Sequence, residues 1–176
     1  KVVAVNGNLG VQGDVSSEKV LRIESDGTII TNNIQGKESI NIKSKEYTQT
    51  GTGYTDGILN IDADKTTLSG TGVQAGQVRI TGDLSNTSNL YSKSDIYVGK
   101  NVALNTGQLV SDGAIEIKGN MSSSGMIYGK DNLSIGGNVN NQGQLQSQNN
   151  INIAGNLTNN GKVLSENTLK ITGLTD

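Results

Sequence analysis

The side chains that could bind a metal ion or transfer a proton are few and widely spaced. Asp62, Asp64 and Asp83 form the closest acidic group once the chain is divided into its repeats. Carboxylate oxygens are the ligands that Ca²⁺ prefers, so these three are the candidates for a cation site. Columns of alternating surface charge, in which Glu24 and Lys43 precede Asp62, explain the same residues. We favour the columns and expect no metal site and no cofactor.

The composition excludes most enzymatic chemistry. The 176 residues include no His and no Cys, so a His-based triad, an imidazole or thiolate zinc site and a Cys nucleophile are all missing. The two arginines, Arg22 and Arg79, are three repeats apart. A carboxylate pair for glycoside hydrolysis needs a cleft, for which short regular repeats leave little room. We therefore expect no catalytic residues and no enzymatic activity.

Tyrosines are the candidates for contact with a partner. Tyr47 and Tyr54 lie in the segment 44–57, which has no aliphatic side chain. Tyr91, Val110 and Tyr128 recur at one place in successive repeats, where alternation predicts an outward direction. The alternatives are a solvated polar bend for 44–57 and, for the outward row, side chains that only shield the sheet beneath them.

Charge and hydropathy exclude two classes of partner. The formal net charge is −2, and no basic cluster is interleaved with aromatic residues, so we expect no nucleic acid. No apolar run approaches the ~18–20 residues of a membrane span, and the segment "KVVAVNGNLG" is not a signal peptide. Phe, Trp and Pro are also absent, which predicts a thin core filled by Ile, Leu and Val.

These residues are carried by a repeat of 18 or 19 residues whose most constant feature is a pair of aliphatic residues separated by one position. Ten copies are aliphatic at both positions. They are Val3/Val5, Leu21/Ile23, Ile40/Ile42, Leu59/Ile61, Val78/Ile80, Ile96/Val98, Ile115/Ile117, Leu133/Ile135, Ile151/Ile153 and Leu169/Ile171. The period of two predicts strands, and a unit this short must stack on its neighbours to bury its apolar face. We predict an all-β, right-handed parallel β-helix of about nine rungs.

Polar residues recur at positions that alternation places inside. One column holds Asn86, Asn141 and Asn159 with Ser123, and another holds Ser92, Ser111, Ser147 and Ser165. We expect like residues in adjacent rungs to hydrogen-bond one another as ladders. Gly-Asn pairs such as Gly137-Asn138 mark a corner, because both residue types tolerate positive φ.

The repeat is not equally regular along the chain, which we treat as one β-helix over 1–176. Residues 3–20 and 78–173 follow the pattern, whereas in 21–77 simple counting assigns Gly27, Glu46 and Lys65 to the inward position seven. We expect irregular rungs there, with a loop at 44–57 bulging from the wall.

The units "LSIGGNVNNQGQLQSQNN" and "INIAGNLTNNGKVLSENT" resemble the repeats of filamentous haemagglutinin-type exoproteins of two-partner (type V) secretion. This family includes adhesins and contact-dependent growth inhibition proteins. The resemblance implies a secreted or outer-surface location on a Gram-negative bacterium and export through an outer-membrane β-barrel transporter as partner. The Asn-Pro-Asn motifs of the family's secretion domain and its Val-Glu-Asn-Asn junction are absent, and neither end carries a cap. We expect an internal segment of a longer protein.

Two functions compete. The first is a structural shaft that presents adhesive or toxin-delivering segments away from the cell. The second is a module that binds a receptor or glycan on target cells through 44–57 or the outward tyrosines.

Overall fold

The structure, a computed structural model, describes residues 1–174 and consists of three parallel β-sheets stacked as a solenoid of about nine turns. Each turn contributes one strand to each sheet, and the strands of consecutive turns lie side by side. The predicted all-β parallel solenoid is confirmed, while its right-handed winding stays a prediction. Within these residues no helix is long and apolar enough to cross a membrane.

The strands are short and equally spaced along the chain. Sheet 1 contains β1 Val2–Val5, β4 Val20–Ser25, β7 Ser39–Lys43, β10 Ile58–Asp62, β13 Gln77–Ile80, β16 Ile96–Val98, β19 Ile115–Ile117, β22 Leu133–Ile135, β25 Ile151–Ile153 and β28 Leu169–Ile171. Sheet 2 contains β2 Leu9–Val11, β5 Thr28–Thr31, β8 Glu46–Gln49, β11 Lys65–Leu68, β14 Asp83–Asn86, β17 Val102–Asn105, β20 Met121–Ser123, β23 Val139–Asn141 and β26 Leu157–Asn159. Sheet 3 contains β3 Val15–Ser17, β6 Ile34–Gly36, β9 Thr52–Tyr54, β12 Gly72–Ala75, β15 Asn89–Ser92, β18 Gln108–Ser111, β21 Met126–Gly129, β24 Gln144–Ser147 and β27 Lys162–Ser165.

The core is a narrow stack of aliphatic side chains between the sheets. The aliphatic pair of sheet 1 points inward, and in β19 both Ile115 and Ile117 are fully buried while Glu116 between them is not. In sheet 1 each member of the pair lies directly over its counterpart in the next turn, as Ile115 lies over Leu133, so aliphatic side chains pack on one another along the stack. Burial of each such side chain stabilises the fold by about 1.5–3 kcal/mol.

One predicted polar ladder is present and the other is not. The Asn86 amide donates to Asn105 Oδ1 (2.9 Å), and the Asn105 amide donates to Ser123 Oγ (3.0 Å). The hydroxyls of Ser92, Ser111, Ser147 and Ser165 instead donate to backbone carbonyls of the preceding rung, as Ser165 does to Asn149 O (2.8 Å). The serine ladder was a wrong prediction, because each short side chain bonds to the main chain of the neighbouring rung and not to the serine there.

Positive φ, among the described glycines, occurs only at the Gly7-Asn8 corner, whereas the glycines of the later Gly-Asn corners are required by close packing. Asn120 Oδ1 accepts the backbone N–H of Asn138 (2.8 Å), and Asn138 Oδ1 accepts that of Asn156 (2.9 Å). A Cβ at Gly137 would lie 2.4 Å from Asn120 Oδ1. The glycine therefore leaves room for the asparagine side chain of the preceding turn.

Residues 21–77 form regular rungs, and the predicted loop at 44–57 is wrong. β8 and β9 lie within this segment and pair in register with the strands on both sides. The inward position is filled by Ile29, Tyr47 and Thr66, one or two residues later than simple counting indicates. Extra residues at the corner before sheet 2 absorb this shift, so the wall continues without a bulge.

Candidate interaction surface

The outer face of sheet 3 brings together four of the five predicted contact residues. In-register pairing lines up Tyr54, Gln74, Tyr91, Val110, Tyr128, Gln146 and Leu164. We call Tyr54, Tyr91, Val110 and Tyr128 the tyrosine column. Its rings occur on every second rung, so consecutive tyrosines are roughly 9.6 Å apart along the stack.

Sequence reasoning placed Tyr54 in a loop and missed its membership of this column. The information was present, because Tyr54 precedes Tyr91 by 37 residues, which is one repeat of 18 plus one of 19. The apparent loss of the repeat in 21–77 concealed this relation.

Tyr47 does not belong to the surface, and its prediction as a contact residue is wrong. Its side chain is 1% exposed and fills the core, where its hydroxyl shares a hydrogen bond with Thr31 Oγ1 (2.9 Å). Burial raises the pKa of this hydroxyl above its ordinary value, and the hydrogen bond to Thr31 opposes that shift. A partner cannot reach Tyr47 in the folded chain.

Aspartate side chains fix the hydroxyls of two tyrosines in the column, one from the same rung and one from the next rung. The Tyr54 hydroxyl donates to Asp56 Oδ1 (2.6 Å), and the Tyr91 hydroxyl donates to Asp112. Lys93 Nζ also donates to Asp56 Oδ1 at 3.1 Å, across two turns. Hydrogen bonds from Tyr54 and then Lys93 lower the pKa of Asp56, and the bond to Asp56 raises the pKa of Lys93.

These charges form a second column beside the first. We call it the charge column and define it by Glu18, Lys37, Asp56, Gly76, Lys93, Asp112 and Lys130 in seven consecutive rungs. Backbone bonds of adjacent rungs set its order, as when Lys37 donates to Ser17 O (3.1 Å) and Lys130 to Ser111 O (2.9 Å). The six charged members are exposed and their signs alternate, apart from the glycine in the middle.

A second aromatic site, on the outer face of sheet 1, was not predicted. The Arg79 guanidinium carbon lies 4.7 Å from the centre of the Tyr97 ring, and Lys118 Nζ lies 6.0 Å from it. Both distances are in the range of cation–π attraction. The signal was available, because Tyr97 follows Arg79 by one repeat at the outward position.

The acidic residues considered for Ca²⁺ are bonded to protein groups. Asp62 Oδ1 accepts from Thr81 Oγ1 (2.9 Å), Asp64 lies 3.7 Å from Lys100 Nζ, and Asp83 Oδ1 accepts from the Asn101 backbone N–H (2.9 Å). In the described part of the chain, no three or more Asp or Glu side chains are placed to share a metal ion.

On sheet 1, Glu24, Lys43 and Asp62 lie side by side in the predicted order. The ion pair that Glu24 makes, however, is with Arg22 of its own strand (2.6 Å). The surface therefore offers fixed charges and aromatic rings, which can make non-covalent contacts.

Comparison with known proteins adds no relative: no protein-family model, curated protein or solved structure gives a significant match to this chain.

Proposed function

We propose that this chain is a shaft segment of a large bacterial exoprotein, secreted or held on the outer surface of a Gram-negative cell. The observation that carries the proposal is the parallel stacking of three sheets over about nine turns, in register except for a bulge at β17 in sheet 2. Each turn adds one strand spacing, so the described part extends by about 43 Å along its axis. Such a rod holds the segments attached to it at a fixed distance from the cell.

The contacts between rungs suit a load-bearing spacer. Every turn is tied to the next by backbone hydrogen bonds in three sheets, and the Asn86–Asn105–Ser123 ladder adds side-chain bonds inside. The resemblance of the repeat to filamentous haemagglutinin-type proteins supports export through an outer-membrane transporter, and it supports adhesive or toxin-delivering segments as the cargo.

The test is to shorten the rod in the parent protein without changing its register. Deletion of residues 59–150 removes five whole rungs, or about 24 Å. The matched control replaces them with five copies of residues 133–150, which restores the length and contains no tyrosine. A shaft predicts that attachment to target cells falls with the deletion and returns with the replacement. Failure of the replacement to restore attachment, with a normal far-UV spectrum, would refute the proposal.

The second candidate is recognition of a receptor or glycan. Its support is the gathering of Tyr54, Tyr91, Val110 and Tyr128 on one outer face. The same replacement, combined with Tyr54→Ala, discriminates between the two functions, because a recognition module loses binding when all four side chains are removed at constant length.

A further inference from the structure

We propose that the outer face of sheet 3 is the interface for a second copy of this chain. In this arrangement the two solenoids pack face to face with antiparallel axes. A two-fold axis, parallel to the strands, passes over Gly76. This inference rests on the charge and tyrosine columns and does not depend on the shaft function.

The charge column is complementary to itself when it is reversed about Gly76. Rungs one to seven carry Glu18 (−), Lys37 (+), Asp56 (−), Gly76 (neutral), Lys93 (+), Asp112 (−) and Lys130 (+). The two-fold axis places rung three opposite rung five, two opposite six, and one opposite seven. Asp56 then faces Lys93 of the second copy, Lys37 faces Asp112, and Glu18 faces Lys130.

Other registers bring like charges together. If the second copy is shifted by one rung along the solenoid axis, Lys37 faces Lys93 of that copy. If it is shifted by one rung the other way, Lys37 faces Lys130. Parallel axes with equal rungs facing each other oppose every residue to its own equivalent. Like charges in contact cost several kcal/mol, so among closed two-fold arrangements the column selects one register and one direction.

The tyrosine column fits the same register. Tyr54 on rung three lies opposite Tyr91 of the second copy, and Gln74 on rung four faces its own equivalent. Aromatic side chains buried at an interface contribute more than their area alone, because their rings also attract one another. On rung four, Gly72 and Gly76 have no side chains, which allows the two sheets to approach at the axis.

The geometry around the axis already joins the central charges. Lys93 Nζ lies 3.1 Å from Asp56 Oδ1 of the same chain, because no side chain at Gly76 separates them. In the dimer these two residues and their equivalents form a ring of four alternating charges. Such an isologous contact closes on itself and yields a dimer, not a filament.

The size of the face predicts a weak dimer. Seven rungs at ~4.8 Å and five positions at ~3.3 Å give roughly 550 Å² per chain, or about 1,100 Å² in total. Specific interfaces begin at about 1,000 Å² of total area, so we expect a micromolar association. Because exposed charges select the register, the association weakens as the salt concentration rises.

The experiment measures self-association of the whole chain by sedimentation velocity from micromolar to near-millimolar concentration. Lys93→Glu places an acidic side chain against Asp56 within and between chains, and should raise the dimer Kd by about tenfold or more. The swapped variant Asp56→Lys/Lys93→Glu keeps both the internal pair and the complementarity, so it should dimerise like the wild type. The control Glu116→Lys/Lys118→Glu swaps an ion pair on sheet 1 and should leave the Kd unchanged.

Mixing separates contacts between chains from contacts within one. In a mixed dimer of wild type and the swapped variant, Asp56 would face the acidic side chain at position 93, and Lys93 would face the basic side chain at position 56. We therefore expect each protein to pair with itself and not with the other, as read from fluorescence transfer between labelled chains.

Free mixing would overturn the proposal, and so would a Kd that Lys93→Glu leaves unchanged. A chain that stays monomeric throughout the concentration range at low salt would also overturn it and leave the face to a receptor or glycan.

Discussion

Two adjacent asparagines in β23 provide a matched test of the asparagine ladder, the column of hydrogen-bonded polar side chains inside sheet 2. Asn141 is fully buried, and its amide donates to Asn159 Oδ1 (2.7 Å), Lys162 O (3.0 Å) and Gly143 O (3.3 Å). Its Oδ1 accepts the backbone N–H of Gly143 (3.2 Å). Asn140, the preceding residue, lies exposed on the outer face of the same strand.

Asn141→Ala removes all four bonds and leaves a small void. A net contribution of about 0.5–1.5 kcal/mol per bond, with two of the four long, gives roughly 2–3 kcal/mol. The void adds to this, so we expect the free energy of unfolding to fall by about 2–4 kcal/mol. Asn140→Ala should change it by no more than about 0.5 kcal/mol.

The assay is urea unfolding followed by far-UV circular dichroism, with hydrogen exchange measured on the same variants. Exchange is needed because a stack of rungs need not unfold in a single step. We expect Asn141→Ala to speed exchange first in β23 and β26. Equal losses of stability for the two variants, or faster exchange that avoids these strands, would refute the assigned role of the ladder.

Two further outcomes are expected. Gly137→Ala should cost about 1–3 kcal/mol, because its Cβ would lie 2.4 Å from Asn120 Oδ1. Gly10→Ala, with no atom within 4 Å of the added Cβ, is the control, and equal unfolding midpoints would contradict this account. Burial raises the pKa of the Tyr47 hydroxyl in the folded state. As the pH rises, this hydroxyl therefore ionises in the unfolded chain, near pH ~10, before it ionises in the folded chain. Stability should then fall as pH rises past that value, and less steeply in Tyr47→Phe; parallel curves of unfolding midpoint against pH would argue against it.

Most of the fold could be predicted because the aliphatic pair recurs in ten copies along the chain. The aliphatic pair marks every strand of sheet 1, and stacking is the only way in which such short units bury it. The inner asparagine ladder followed from the same alignment. The serine column did not, because the sequence gives the inward direction of Ser165 and not the distance from its hydroxyl to the turn carbonyls.

The candidate site was only partly predictable, and the errors share one cause. Counting from the aliphatic pair assumes that each corner has a fixed length, whereas the corners of 21–77 contain extra residues. This placed Tyr47 outside the core and left Tyr54 out of the column. The residues next to Tyr47 in the sequence also gave no indication that it is buried, since Glu46 and Thr48 are polar.

The sequence by itself determined the strand period, the stacking of the aliphatic pairs and the absence of His and Cys, because these depend on residue type and spacing alone. Only the tertiary structure decided which residues meet across rungs. Lys93 reaches Asp56 from 37 residues away, and the sign pattern of the charge column is read across turns and not along the chain. A solenoid converts sequence separation into lateral contact, so one extra residue at a corner changes which side chains lie side by side.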